Sequence, residues 1–174
     1  MSITNIELIK AWAKDRALDT ADPKKQIFKL MEETGELAAG IARGNKDLIE
    51  DSIGDIFVVQ TILLMQVGKD ITESNAFAMY EVDLKAENES DNESMNEIFK
   101  AIAAIGLELE LMGGRSSGNF YGADQVATII YHTHNIAENH GLDLSRCIGM
   151  AYDEIKDRKG KMVDGVFVKE ADLQ

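Results

Sequence analysis

Three residue types are nearly missing, and each absence narrows the possibilities. Proline occurs once, at Pro23, cysteine once, at Cys147, and tryptophan once, at Trp12, in 174 residues. With a single proline, long stretches are free to run as helices, and proline-rich linkers are excluded. A single cysteine excludes an intramolecular disulfide and fits a reducing compartment. As a lone thiol, Cys147 reads as a small core hydrophobe. Positive charge is also scarce: 18 Lys and Arg face 31 Asp and Glu, for a net charge of −13. That balance argues against duplex nucleic acid as a partner, because such binding rests on basic neutralisation of phosphates. A phosphate-bearing ligand must then be met by a local basic patch or by a metal ion. Long hydrophobic runs are absent too. The greasiest stretch, "IFVVQTILLMQV" at 56–67, is too short to span a bilayer. "MSITNIELIKAWAKDRAL" at 1–18 lacks the continuous apolar block of a signal peptide, so a cytoplasmic protein with no membrane partner is expected.

What remains is helical patterning. Apolar residues recur at spacings of three and four and predict an all-α helical bundle in a single domain over 1–174. Helices are expected at about 4–18, 23–43, 46–67, 70–85, 95–112, 123–139 and 143–159. "DTADPKK" supplies an Asp cap and a first-turn proline, and Gly44 in "RGN" supplies a C-cap. "AENESDNES" at 86–94 reads as an acidic linker, and "KMVDGVFV" at 161–168 as a small hairpin or extended arm around Asp-Gly.

The two halves rhyme. "IFK" occurs at 27–29 and 98–100, and "GKDI" at 68–71 parallels "GLDL" at 141–144. An internal duplication is one reading, with a metal-bearing repeat at 3–86, an acidic linker at 87–94 and a degenerate repeat at 95–174. A plain bundle of similar helices is the other.

The chemistry concentrates in carboxylates. "KLMEETGELAAG" at 29–40 carries Glu32, Glu33 and Glu36 within five positions of an amphipathic helix. Like charges at this spacing repel, so they need solvent or a cation. On the next helix Asp51 and Asp55 are four apart and share a face, and Asp55 is the one charge in an otherwise apolar, all-round pattern from 53 to 67. An unpaired buried carboxylate costs several kcal/mol, so Asp55 must be protonated, paired or metal-bound. A short loop at 44–46 folds the two helices back on each other and brings these acids to comparable heights. An all-oxygen cluster without His or Cys suits Mg²⁺ or Mn²⁺ and is poorly matched to Zn²⁺. The plainer alternative for Glu32 and Glu33 is a solvated face on which Lys29 pairs with Glu33.

The E-E-x-x-E spacing at 32–36, followed by "DSIGDIF" at 51–57, resembles the MazG-type all-α nucleoside triphosphate pyrophosphohydrolases. "AYDEIKDRKGKMVDGVFVKEAD" at 151–172 is similar to the ending of compact, phage-type MazG-like proteins. The resemblance implies Mg²⁺ ligation by Glu33, Glu36 and Asp55, with Glu32 flanking. It departs at Ser52, where the family's E-x-x-D motif has its glutamate, so either Asp51 substitutes or the site has one ligand fewer. It further implies that Lys156 and Arg158 or Lys159, in the basic run "KDRKGK", hold a triphosphate. The other account of that run is charge complementing a helix C-terminus. The expected activity is hydrolysis of a nucleoside or deoxynucleoside triphosphate to monophosphate and pyrophosphate, with Glu32 or Glu33 as the activating base and a homodimer as the working form. Trp12 is a packing residue or a nucleobase contact. His132, His134 and His140 read as structural, and "GGRSSGN" at 113–119 as a lid or linker rather than a P-loop. The alternative function is a non-catalytic helical module that binds nucleotide or protein.

Overall fold

The computed structural model describes residues 3–73, 89–112, 120–163 and 166–170. Within them the chain is an all-α bundle of six helices with one two-stranded ribbon: α1 (Ile3–Asp15), α2 (Pro23–Arg43), α3 (Lys46–Gln66), α4 (Asp91–Leu111), α5 (Ala123–Asn139), α6 (Leu144–Ile155), β1 (Gly160–Val163) and β2 (Val166–Lys169).

Helix α3 is the axis of the molecule. Ile53, Ile56, Phe57, Leu63 and Leu64 on it are all fully or almost fully buried, and α2, α6, α1 and α5 pack around it. Each such side chain stabilises the fold by about 1.5–3 kcal/mol on burial, which makes the apolar helix its organising element. Helices α2 and α3 form a tight antiparallel pair. Asp22 caps α2 through the Lys24 amide, with Pro23 in the first turn; Gly44, at φ 62°, closes it; and Asn45 caps α3 through the Leu48 amide. The αL conformation at Gly44 carries almost no penalty for glycine and lets α3 start immediately. Helices α4 and α5 form a second extensively packed pair. Phe120, just before α5, is buried in the core.

Several boundaries differ from expectation. The first helix stops at Asp15 because Ala17 adopts φ 54°, and Leu18 drops into the core from a separate 3₁₀ turn at Leu18–Thr20. The acidic linker is shorter than 86–94: Asp91–Ser94 already belong to α4, because Ser90 and Glu93 form a reciprocal capping box. The last helix ends at Ile155 instead of running to 159, so most of "KDRKGK" lies in the turn leading to β1. The helix expected at 70–85 begins as a 3₁₀ turn at Ile71–Glu73, and its remainder lies outside the described residues, as does "GGRSSGN". The arm at the end is an antiparallel hairpin pairing Gly160 with Lys169 and Met162 with Phe167.

The rhyme between the halves has a local counterpart. Gly68 (φ 73°) and Gly141 (φ 62°) both precede an aspartate two residues on whose carboxylate accepts a backbone N–H: Asp70 from Thr72 and Asp143 from Arg146. The histidines act in the second pair: His132 Nδ1 lies 3.0 Å from Glu89 and His140 Nε2 2.8 Å from Asp91, tying α5 to the start of α4.

Candidate functional site

One wall of the site is a stripe of α2. Lys25, Lys29, Glu32, Glu33 and Glu36 recur at helical spacing and all line a cavity of about 540 Å³ between α2 and α3. Asp51 and Asp55, one turn apart on α3, line it from the other side. Glu154 and Arg158 enter from α6 and the turn beyond it. Helix α6 reaches that position because of Gly54, where an added Cβ would stand 2.4 Å from the Cys147 carbonyl oxygen and 2.9 Å from the Ala151 side chain. The backbones of α3 and α6 therefore nearly touch one residue before Asp55.

The electrostatics follow from this crowding. Burial, reinforced by the Glu33, Asp51 and Glu154 carboxylates and opposed by Arg158, pushes the Asp55 carboxyl up to about 7. Asp51 is raised by burial and by Glu154 and Glu36, again against Arg158. Lys29 bridges Glu32 at 2.7 Å and Glu33 at 2.8 Å, and Glu33 is itself buried. Burial of Lys29 works against its charge, but its hydrogen bonds to the two glutamates outweigh that and hold its pKa above the usual value. The plainer pairing of Lys29 with Glu33 thus coexists with a place on the cavity wall.

The donor set is entirely carboxylate oxygen and the local charge is negative in excess, which fits a hard divalent cation. Among the described residues no three His, Cys, Asp or Glu side chains already converge closely enough to hold an ion. Ser52 offers nothing to such a shell: it is buried and donates its hydroxyl to the Leu48 carbonyl at 2.7 Å.

The remaining expected site residues divide. Arg158 lines the cavity and forms an ion pair with Glu154. Lys156 and Lys159 are exposed and absent from the cavity lining, and Lys156 pairs with Asp153 at 2.6 Å. Trp12 lies at the apolar end with Leu18, Val58, Val59, Ile62 and Phe167. Arg16 covers a face of its ring at 4.7 Å, and Phe167 stands in a T-shaped contact at 6.0 Å. Lys25, Glu154 and Phe167 were not anticipated. Lys25 was legible as a member of the stripe 25, 29, 32, 33, 36, whereas Glu154 and Phe167 enter by tertiary packing that spacing along the chain does not announce.

The fold and the cavity define an all-α bundle whose central helix pair turns carboxylates toward a small-ligand-sized pocket. Residues 22–85 match the MazG nucleotide pyrophosphohydrolase domain, so the MazG-type resemblance holds over this segment. The chain is also similar to the "Uncharacterized 18.2 kDa protein in rep-hol intergenic region" of Haemophilus phage HP1, 53% identical over 62 residues. That alignment takes in 35% of this chain and 38% of the phage protein, so the chain spans well under half of that relative's length. No solved structure matches. The matched segment holds the α2 and α3 carboxylates, while Trp12, Glu154, Arg158 and Phe167 lie outside it.

Proposed function

We propose that the protein is a divalent-metal-dependent pyrophosphohydrolase that converts a nucleoside or deoxynucleoside triphosphate to the monophosphate and pyrophosphate. The observation that carries this is the shared cavity: five carboxylates of α2 and α3 and three cations, Lys25, Lys29 and Arg158, face one space that is apolar and aromatic at its far end. A triphosphate needs charge neutralisation and positioning above all, and a base needs an apolar surface.

Glu33, Glu36 and Asp55 are the residues that would hold Mg²⁺ or Mn²⁺, with Asp51 replacing the ligand missing at Ser52. The cation would supply neutralisation of phosphate charge and polarisation of a water molecule. Lys25 and Arg158 bind phosphate oxygens, and Lys29 orients Glu32 and Glu33. One of those two carboxylates takes the proton as a water oxygen bonds to the α-phosphorus and the α–β bridging P–O bond breaks. Pyrophosphate leaves with that bridging oxygen. In the degenerate half we propose at 95–174, the corresponding positions are Ala103, Ala104 and Leu107, which cannot take part in such chemistry.

Ser52 favours a second reading, a module that binds nucleotide without turning it over. Pyrophosphate release measured with Mg²⁺ across NTPs and dNTPs, beside Glu36→Gln, separates the two. The enzyme reading expects Mg²⁺-dependent release with at least one nucleotide and a loss of about a hundredfold or more in the variant. Binding without release would establish the module.

A further inference from the structure

The acids of the cavity differ in what they touch. Glu32 and Glu33 are held by Lys29 on their own helix, and Glu154 at the end of α6 is held by Arg158 from the turn beyond it. Asp51 and Asp55 on α3 form no ion pair among the described residues. Glu154 is the one acid of the lining that lies outside the segment matching the MazG domain. After burial, it is the strongest influence raising the Asp51 carboxyl, ahead of Glu36, and it acts on Asp55 as well. Arg158 opposes burial at both aspartates, so it serves as a counter-charge for α3 besides pairing with Glu154. The backbone fixes both positions. Ala151 meets Gly54 in the close α3–α6 contact, and Glu154, three residues on, shares its helix face. The Arg158 amide donates to the Ile155 carbonyl at 2.9 Å, and its own carbonyl accepts from Arg16 at 3.1 Å. Only the side chains are free to exchange partners. The Glu154 side chain is half exposed, and an ion pair so open to water contributes little, so it is readily given up.

We propose that Glu154 is a further ligand of the divalent cation, brought to Asp51 and Asp55 by α6, and that Arg158 is the internal counter-ion the cation displaces from it. The proposal rests on the divalent-metal reading of the same cavity. Ser52 is turned away to the Leu48 carbonyl, so α3 offers two acids and a neighbouring wall supplies another. A divalent ion takes several oxygen ligands and carries twice the charge of a guanidinium, so a carboxylate facing two other acids gains more from the ion than from Arg158. The released guanidinium keeps its five donors at the cavity wall, where they suit phosphate oxygens. Cation and phosphate are thereby linked: the ion frees Arg158, and phosphate that engages Arg158 leaves Glu154 to the ion.

The test is Mn²⁺ binding to the full chain without nucleotide, by paramagnetic resonance of the free ion and by calorimetry at pH 8, with thermal melts to check folding. Glu154→Gln is expected to weaken Mn²⁺ about tenfold or more, as Glu36→Gln does. Asp153→Asn removes the same charge one residue away and outside the lining, and is expected to stay within about twofold. Arg158→Gln is expected to tighten Mn²⁺ about threefold, because the competing cation is gone. In the Arg158→Gln background, Glu154→Gln is expected to cost about tenfold again. A loss that vanishes there would mean that Glu154 only offsets Arg158, which overturns the ligand assignment, and weaker binding in Arg158→Gln overturns the displacement. Mn²⁺ affinity lowered by Glu36→Gln but untouched by Glu154→Gln overturns the proposal and leaves the metal-dependent reading in place, whereas a parent chain that binds no Mn²⁺ overturns both. Failure of pyrophosphate release with these binding results intact removes the enzyme reading and leaves Glu154 as a ligand.

Discussion

Gly54 on α3 lies so close to Cys147 on α6 that a methyl group at Gly54 would fall 2.4 Å from the Cys147 carbonyl oxygen. Backbone atoms cannot rotate aside as a long side chain can, so the helices must separate to admit it. Gly54→Ala is expected to destabilise the fold by about 1–3 kcal/mol, a fall of several degrees in Tm by thermal unfolding. The separation also draws Glu154 and Arg158 away from Asp51 and Asp55, so activity per folded molecule drops. A variant as stable as the parent would show that the contact is slack.

Asp55 makes the cation-free protein sensitive to pH in an unusual direction. Its carboxyl titrates near 7 in the folded chain and near 3.8 when unfolded. Between those values the native state holds a proton that the unfolded state has released, so stability falls as pH rises and the loss is complete above about 7. Burial is the first cause, followed by the carboxylates of Glu33, Asp51 and Glu154. In chelator-treated protein, Asp55→Asn is expected to flatten this slope and to exceed the parent by on the order of 2–4 kcal/mol at pH 8. Denaturant melts at pH 5 and pH 8 measure it, and parallel behaviour of the two proteins would refute the assignment. Adding Mg²⁺ at pH 8 is expected to raise the Tm of the parent far more than that of the variant.

Much of this was legible in the sequence because it is local. Helical period, the Asp22–Pro23 start, Gly44 and the isolated charge of Asp55 are decided within a few residues of one another. The misplaced boundaries were decided by side chains that act at short range but rank below the apolar pattern: Glu93 reaching back to Ser90 lengthens α4, and Ala17 at positive φ shortens α1. The acidic stripe was visible, and with it Lys25 had the same spacing and went unused. Glu154 and Phe167 were beyond reach, because one depends on the close approach at Gly54 and the other on a hairpin folding back to Trp12. The basic run around Lys156 was visible as charge, but only Arg158 of it lines the cavity.

Cys147 is chemically quiet. It is fully buried, and burial together with the nearby Glu50 carboxylate pushes its thiol up to about 11. Thiolate is the reactive form, so little of it exists at pH 8 and none of it is reachable. An aromatic disulfide reagent at pH 8 is expected to leave the native chain unmodified over a period in which the guanidinium-denatured chain reacts completely. Rapid stoichiometric labelling of the folded protein would mean that α6 opens away from α3 far more readily than the contact at Gly54 implies.

Lys25 and Lys156 separate a cation that faces the cavity from one that merely adds to the charge of the basic run. Lys25 lines the cavity and forms no ion pair among the described residues, so its charge is uncommitted. Lys156 is exposed, held by Asp153 and outside the lining. A charged hydrogen bond to phosphate is worth about 1.5–3 kcal/mol, so Lys25→Ala is expected to raise the KM for a triphosphate by about tenfold or more. Lys156→Ala and Lys159→Ala are expected to stay within about threefold, as surface charges do. Steady-state kinetics at fixed Mg²⁺ and ionic strength decide it. The reverse ranking would move the triphosphate site from the α2 stripe to the turn before the hairpin, and with it the direction in which the substrate enters.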